Sequence, residues 1–89
     1  MLYKRLENIP WQIVHKSAVI IDPVQNKIHE LDEVATCIWT YLDGEHNIEQ
    51  IADQLTQEYA VENAVALYDT QELCEALKSE GLLEIHTHE

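Results

Sequence analysis

Basic residues are scarce in this chain of 89 residues. Five Lys and Arg stand against seventeen Asp and Glu, a formal net charge of -12. A surface of that sign repels phosphate backbones and anionic bilayers, so generic nucleic-acid or membrane binding is disfavoured. A basic peptide or a basic protein surface is attracted instead. Glycine is nearly absent, and Gly44 and Gly81 alone cannot build a Gly-rich phosphate cradle. Long apolar runs are missing as well. The longest aliphatic stretch, Ala18 to Ile21, is far too short to span a bilayer. Met1 to Glu7 carries Lys4 and Arg5, but no apolar segment of a signal peptide follows. The two cysteines, Cys37 and Cys74, form no CxxC pair and read as buried small hydrophobes in a reducing compartment. The expectation is a soluble cytoplasmic protein.

What is present describes one domain over 1–89, with a core from about residue 11 to 85. A hydrophobic content of 46% suits a folded domain rather than a disordered tail. Trp11 to His15 is aromatic and β-branched, and Lys16-Ser17 offers a turn. Ser17 to Asp22 follows with Val19, Ile20 and Ile21. Asp22-Pro23-Val24-Gln25-Asn26 has turn chemistry, because Pro23 fixes φ and Asn26 tolerates the left-handed region. Lys27 to Leu31 then alternates in character. These segments predict three short strands in a meander. Asp32 is a fitting N-cap for a first helix that Gly44 ends. Asn47 caps a second helix, with Gln50 three residues on. A third runs from near Glu62 to Glu80, with Gly81 as its breaker. Leu82, Leu83 and Ile85 form a short apolar tail, and His86 to Glu89 should fray. The fold class is α+β: a three-stranded antiparallel sheet followed by three helices, in the order βββααα. Periodicity predicts Val19, Ile21, Leu31, Ile38, Leu42, Ile51, Leu55, Leu73 and Leu77 as mostly buried.

Catalytic chemistry finds no foothold. His15, His29, His46, His86 and His88 show neither HExxH nor a Cys/His ligand spacing, so no metal site is expected. A cysteine nucleophile needs a nearby base on an exposed face, and no motif supplies one. Trp39 and Tyr41 read as helix core. Carboxylate pairs are expected by chance among seventeen acids. The reading is a non-enzyme without cofactors.

Two features bear on binding. Lys27 to Leu31 has the character of an edge strand, guarded by Lys27 and Glu30. In the third helix, Asp69, Leu73 and Leu77 form one row, and Thr70, Cys74 and Lys78 a neighbouring one. One row faces the core and the other flanks a groove; spacing leaves open which.

The ordered set Val19-Ile20-Ile21-Asp22-Pro23, Ile28-His29-Glu30-Leu31, Ala35, Ile38-Trp39 and Leu42-Asp43-Gly44 resembles the PqqD family. So does its continuation through Ile48-Glu49-Gln50-Ile51, Leu55, Glu58-Tyr59, Asp69, Leu73, Leu77 and Gly81-Leu82-Leu83. The family commonly has Leu-Asn before the first helix, where this chain has Leu31-Asp32; either residue caps a helix. The resemblance implies a winged helix-turn-helix-like layout. It also implies a role in binding the leader segment of a ribosomally made precursor peptide and presenting it to a modifying enzyme, often a radical SAM protein. In the family the leader adds as a strand beside the third strand and packs against the third helix. Carried onto this sequence, the peptide-binding residues become Lys27, Ile28, His29, Glu30 and Leu31 of the strand, with Thr70, Leu73, Cys74 and Leu77 of the helix. A winged-helix DNA-binding regulator is the alternative from another class. Against it, the third helix carries Asp69, Glu72, Glu75 and Glu80 beside a single Lys78.

Overall fold

The two ends of the chain pair with each other. In the computed structural model, which describes residues 2–86, β1 (Leu2–Arg5) runs antiparallel to β5 (Leu83–His86). Between them lie β2 (Trp11–Val14), β3 (Ser17–Asp22), β4 (Lys27–Glu30), α1 (Glu33–Thr40), α2 (Ile48–Glu58) and α3 (Asn63–Ser79). β2, β3 and β4 form a second antiparallel sheet in chain order. The α+β class and the three helices agree with expectation. The strand count does not: the described residues hold five strands in two sheets, where three in one sheet were expected. The segment Leu83–His86, expected as a tail that frays from His86, is a paired strand. Residues 87–89, where the rest of that expectation falls, lie outside the described residues.

The unforeseen β1 is held by its side chains. Tyr3 is buried in the same core as Trp39, Leu82 and Leu83. Arg5 Nη1 donates to the carbonyls of Trp39 (2.6 Å) and Thr40 (3.0 Å). Those carbonyls end α1, where intrahelical donors run short and the dipole favours a cation; Trp39 O also accepts from Leu42 N–H at 3.2 Å. The guanidinium also lies 5.2 Å from the Trp11 ring centroid and 5.8 Å from that of Trp39.

The local signals act as their chemistry dictates. His15 and Lys16 both take positive φ (51° and 66°), as a two-residue hairpin of the right twist requires. Asp22 Oδ1 accepts from the N–H groups of Val24 (3.0 Å) and Gln25 (3.2 Å), which closes the β3–β4 turn. Asp32 Oδ1 accepts from Ala35 N–H at 2.8 Å and starts α1. Asn47 and Gln50 exchange two 2.8 Å bonds in a capping box that starts α2.

The phase of β3 is opposite to expectation. Ala18 and Ile20 are fully buried, whereas Ile21 is 46% exposed and Val19 only half-buried. A run of four apolar residues has no alternation of its own, so period-2 reasoning cannot set its phase. Packing sets it instead. Ala18 is small enough for α1 to close on the strand, and Thr36 Oγ1 accepts from Ala18 N–H at 2.7 Å. The same hydroxyl donates to Leu31 O at 3.3 Å. Thr36 thus ties the end of the β3–β4 ladder to α1.

Candidate peptide-docking site

β4 is an edge strand, and its exposed edge has a defined hydrogen-bonding face. Leu31 N–H donates to Ala18 O at 2.9 Å, continuing the register that sets His29 opposite Ile20 and Lys27 opposite Asp22. Backbone groups alternate direction along an antiparallel strand. The polar groups of Lys27, His29 and Leu31 therefore turn towards β3. Those of Ile28 and Glu30 turn outward, to the free edge.

The side chains follow the opposite rule. Lys27, His29 and Leu31 lie on the inner face, with Leu31 buried, His29 half-buried and Lys27 exposed. Ile28, at 69% exposed, lies on the outer face opposite Ile21. Glu80 stitches the start of β4 to the end of α3. Its carboxylate is 3.4 Å from Lys27 Nζ and 3.7 Å from His29 Nε2, and its carbonyl accepts from Gln25 Nε2 at 2.9 Å. The longer of these distances lies outside hydrogen-bond reach. From that contact α3 runs back until its middle turns face the start of α1.

Between α1 and α3 opens a groove of about 680 Å³, next to the end of β4. Its floor is apolar, built from Val34, Ala35 and Ile38 of α1 and Leu73 and Ala76 of α3. Asp32, Asp69 and Glu72 stand among its lining residues. The spacing Asp69, Glu72, Leu73, Ala76 is one face of a helix. The neighbouring face, Ala66, Thr70, Cys74 and Leu77, is buried in the core. Of the four helical residues assigned to binding, only Leu73 reaches the groove. Thr70 and Cys74 have no exposed surface and Leu77 has 4%, so their side chains are held inside. The α1 residues and Glu72 were not assigned to binding from sequence, and Asp69 stood only in one of the two rows left open. The i, i+3, i+4, i+7 pattern at Asp69 was the available signal.

Neither thiol is poised for chemistry. Burial, with the carboxylate of Glu75 beyond it, pushes Cys74 up to about 12. Burial and the neighbouring Glu58 push Cys37 up to about 11. A thiol that stays protonated is a poor nucleophile and metal ligand. Among the described residues no group of three or more His, Cys, Asp or Glu is arranged to hold a metal ion. Among the described residues no helix is long and apolar enough to cross a membrane.

A free strand edge that leads into an apolar groove offers the two features on which β-augmentation relies, unpaired backbone groups and a pocket for side chains. The family model described as coenzyme PQQ synthesis protein D matches residues 17–83, most of the chain. The chain belongs to the PqqD family. No curated protein matches it. Among solved structures, lasso peptide synthetase B1 complexed with the leader peptide is similar at 25% identity and a TM-score of 0.83, covering 96% of this chain and 100% of that one. TbiB1 in complex with the TbiA(beta) leader peptide shares the fold at 24% identity and a TM-score of 0.83, over 96% and 99% of the two chains. The solution structure of the PqqD truncation of Methylobacterium extorquens PqqCD, a stand-alone recognition element for ribosomally synthesised and modified peptides, also shares it. There the identity is 21%, the TM-score 0.78 and the coverage 94% and 89%.

Proposed function

We propose that this chain binds the leader segment of a ribosomally synthesised precursor peptide and presents the precursor to a modifying enzyme. The chain acts as an adaptor and not as a catalyst, in the cytoplasm, and a radical SAM protein is a fitting enzyme partner. The leader docks as an added strand along Lys27–Leu31 and rests alternate side chains in the groove between α1 and α3. The single observation that carries this reading is the free edge of β4, whose chain leads through Leu31 into Asp32 on the lining of that apolar groove. Family membership supports it, as does the shared fold of lasso peptide synthetase B1, which was solved with a leader peptide.

The physics fits. Ile28 and Glu30 offer unpaired backbone donors and acceptors that a peptide strand satisfies. The groove floor accepts an apolar side chain, worth about 1.5–3 kcal/mol when fully buried. The test is a titration of the isotope-labelled chain with the leader of the precursor encoded nearest to it. The largest amide shifts should fall on Lys27–Leu31 and on the groove face of α3. If they fall on α2 or on Asp43 to Asn47 while the strand stays silent, the docking mode is wrong.

A further inference from the structure

The surface from the start of β4 to the groove is electrically lopsided. At the Lys27 end of β4, Glu80 is matched by Lys27 at 3.4 Å. At the Leu31 end, Asp32, Asp69 and Glu72 line the groove, and no Lys or Arg does. None of these three carboxylates makes an ion pair among the described residues. Asp32 is partly spoken for, since it caps α1 and sits at the positive end of that helix. Glu72 accepts only a long 3.4 Å bond from the Tyr68 hydroxyl. Asp69 has no side-chain partner among the described residues. The apolar floor of Ala35, Ile38, Leu73 and Ala76 lies against this uncompensated end.

We propose that this end of the groove selects a cation: the cognate leader places a large apolar side chain on the α1–α3 floor and a Lys or Arg beside Asp69 and Glu72, towards the Leu31 end of β4. This rests on the leader-docking reading and gives it a substrate chemistry with a polarity. An added strand turns residues i and i+2 to the same face, roughly 6.6 Å apart at the usual rise per residue. An apolar anchor and a cation in an i, i+2 relation thus reach the floor and the carboxylate pair together. The Lys27 end has no such need, because its carboxylate is already neutralised. A basic residue moved to that end meets Lys27 instead. A second copy of the chain is a poor occupant, since each copy carries a net charge of -12.

The test uses the full chain and a phage-displayed library of random decapeptides. Selected peptides are made with a fluorescent label, and their Kd is measured at low and high salt. The expected winners carry Lys or Arg two residues from an apolar or aromatic anchor. Asp69→Lys/Glu72→Lys should weaken them by roughly five- to tenfold at low salt, with the gap closing at 0.5 M salt. Replacing the peptide's basic residue by Glu should restore binding to that charge-reversed chain. Both α3 positions are exposed, so the variant folds normally. Winners that dock on Lys27–Leu31 by amide shifts but show no basic preference, and ignore the charge reversal, overturn the inference and leave strand docking intact. Winners that shift β2 or α2 instead overturn both.

Discussion

Proline at position 30 separates docking from folding. Glu30 is exposed, and its N–H points away from β3 because the neighbouring Leu31 N–H is spent on Ala18 O at 2.9 Å. Proline removes that donor and sets its ring where the incoming strand must lie, while an edge position tolerates it within the sheet. Proline keeps the carbonyl at that position, so one docking bond is lost outright and a second is lost where the ring holds the incoming strand away. At a net 0.5–1.5 kcal/mol each, the loss is about 1–3 kcal/mol, or roughly fivefold to 150-fold in Kd. Folding stability should change by no more than about 0.5 kcal/mol. His29→Pro is the control. Its N–H faces Ile20 across the ladder, so the substitution leaves a carbonyl unpaired against a fully buried residue and costs about 1–3 kcal/mol of folding free energy. Fluorescence anisotropy with a labelled leader gives Kd, and urea unfolding gives stability. A Glu30→Pro chain that binds the leader with unchanged Kd refutes the docking edge. If it unfolds as readily as His29→Pro, the assignment of the free N–H is wrong.

Other expectations follow from single side chains. Thr36→Val leaves the buried Ala18 N–H without its 2.7 Å acceptor and should cost about 1–3 kcal/mol in urea unfolding, most of it recovered by Thr36→Ser. Leu77→Ala, in the core at 4% exposure, should cost about 2–5 kcal/mol of stability, while Leu73→Ala costs less than half as much but weakens leader binding by roughly fivefold to thirtyfold. Equal effects of the two on unfolding would contradict the division of α3 into two faces. Burial raises Cys74 from an ordinary 9.0 to about 12, so its contribution to stability is intact below pH 9 and fades as the pH climbs through 12. Both thiols should therefore resist iodoacetamide at pH 8 until denaturant is added; rapid labelling of the native chain would refute their burial. Double-stranded DNA should give no mobility shift at physiological salt, since five basic residues leave too few phosphate partners.

The parts of the fold that were legible in sequence rest on local chemistry. Asp32, Asn47 with Gln50, Gly81 and the Asp22–Asn26 turn each act within four residues of themselves, and each acts as expected. The sheet of β1 and β5 was not legible because nothing local forms it. Leu2 meets His86 across nearly the whole chain, and Lys4 and Arg5 make β1 look polar. Only the folded core shows that the Arg5 side chain spends its donors on the Trp39 and Thr40 carbonyls at the end of α1. The phase of β3 failed for a related reason. Val19 and Ile21 are larger than Ala18, and size suggests burial, but the core needs a small residue where α1 crosses the strand.

The candidate site divides the same way. The edge strand could be read from Lys27–Leu31, since guarded alternation is a sequence property. The groove face of α3 could not, because the helix is apolar on two sides. A reader gives Leu73 to the core before Thr70, on hydrophobicity. The fold reverses them because Thr70 Oγ1 donates to Ala66 O at 2.7 Å. A helical threonine that spends its hydroxyl on the preceding turn is valine-like in its exposed atoms and can be buried without loss. Together with Ala66 and Cys74 it gives α3 a small-residue face that packs close to the core. That close approach turns Asp69, Glu72, Leu73 and Ala76 towards α1 and leaves a groove where a bulkier core face would have filled the space. The polar hydroxyl of Thr70, hidden by its own helix, thus leaves Leu73 and its acidic neighbours to line the groove.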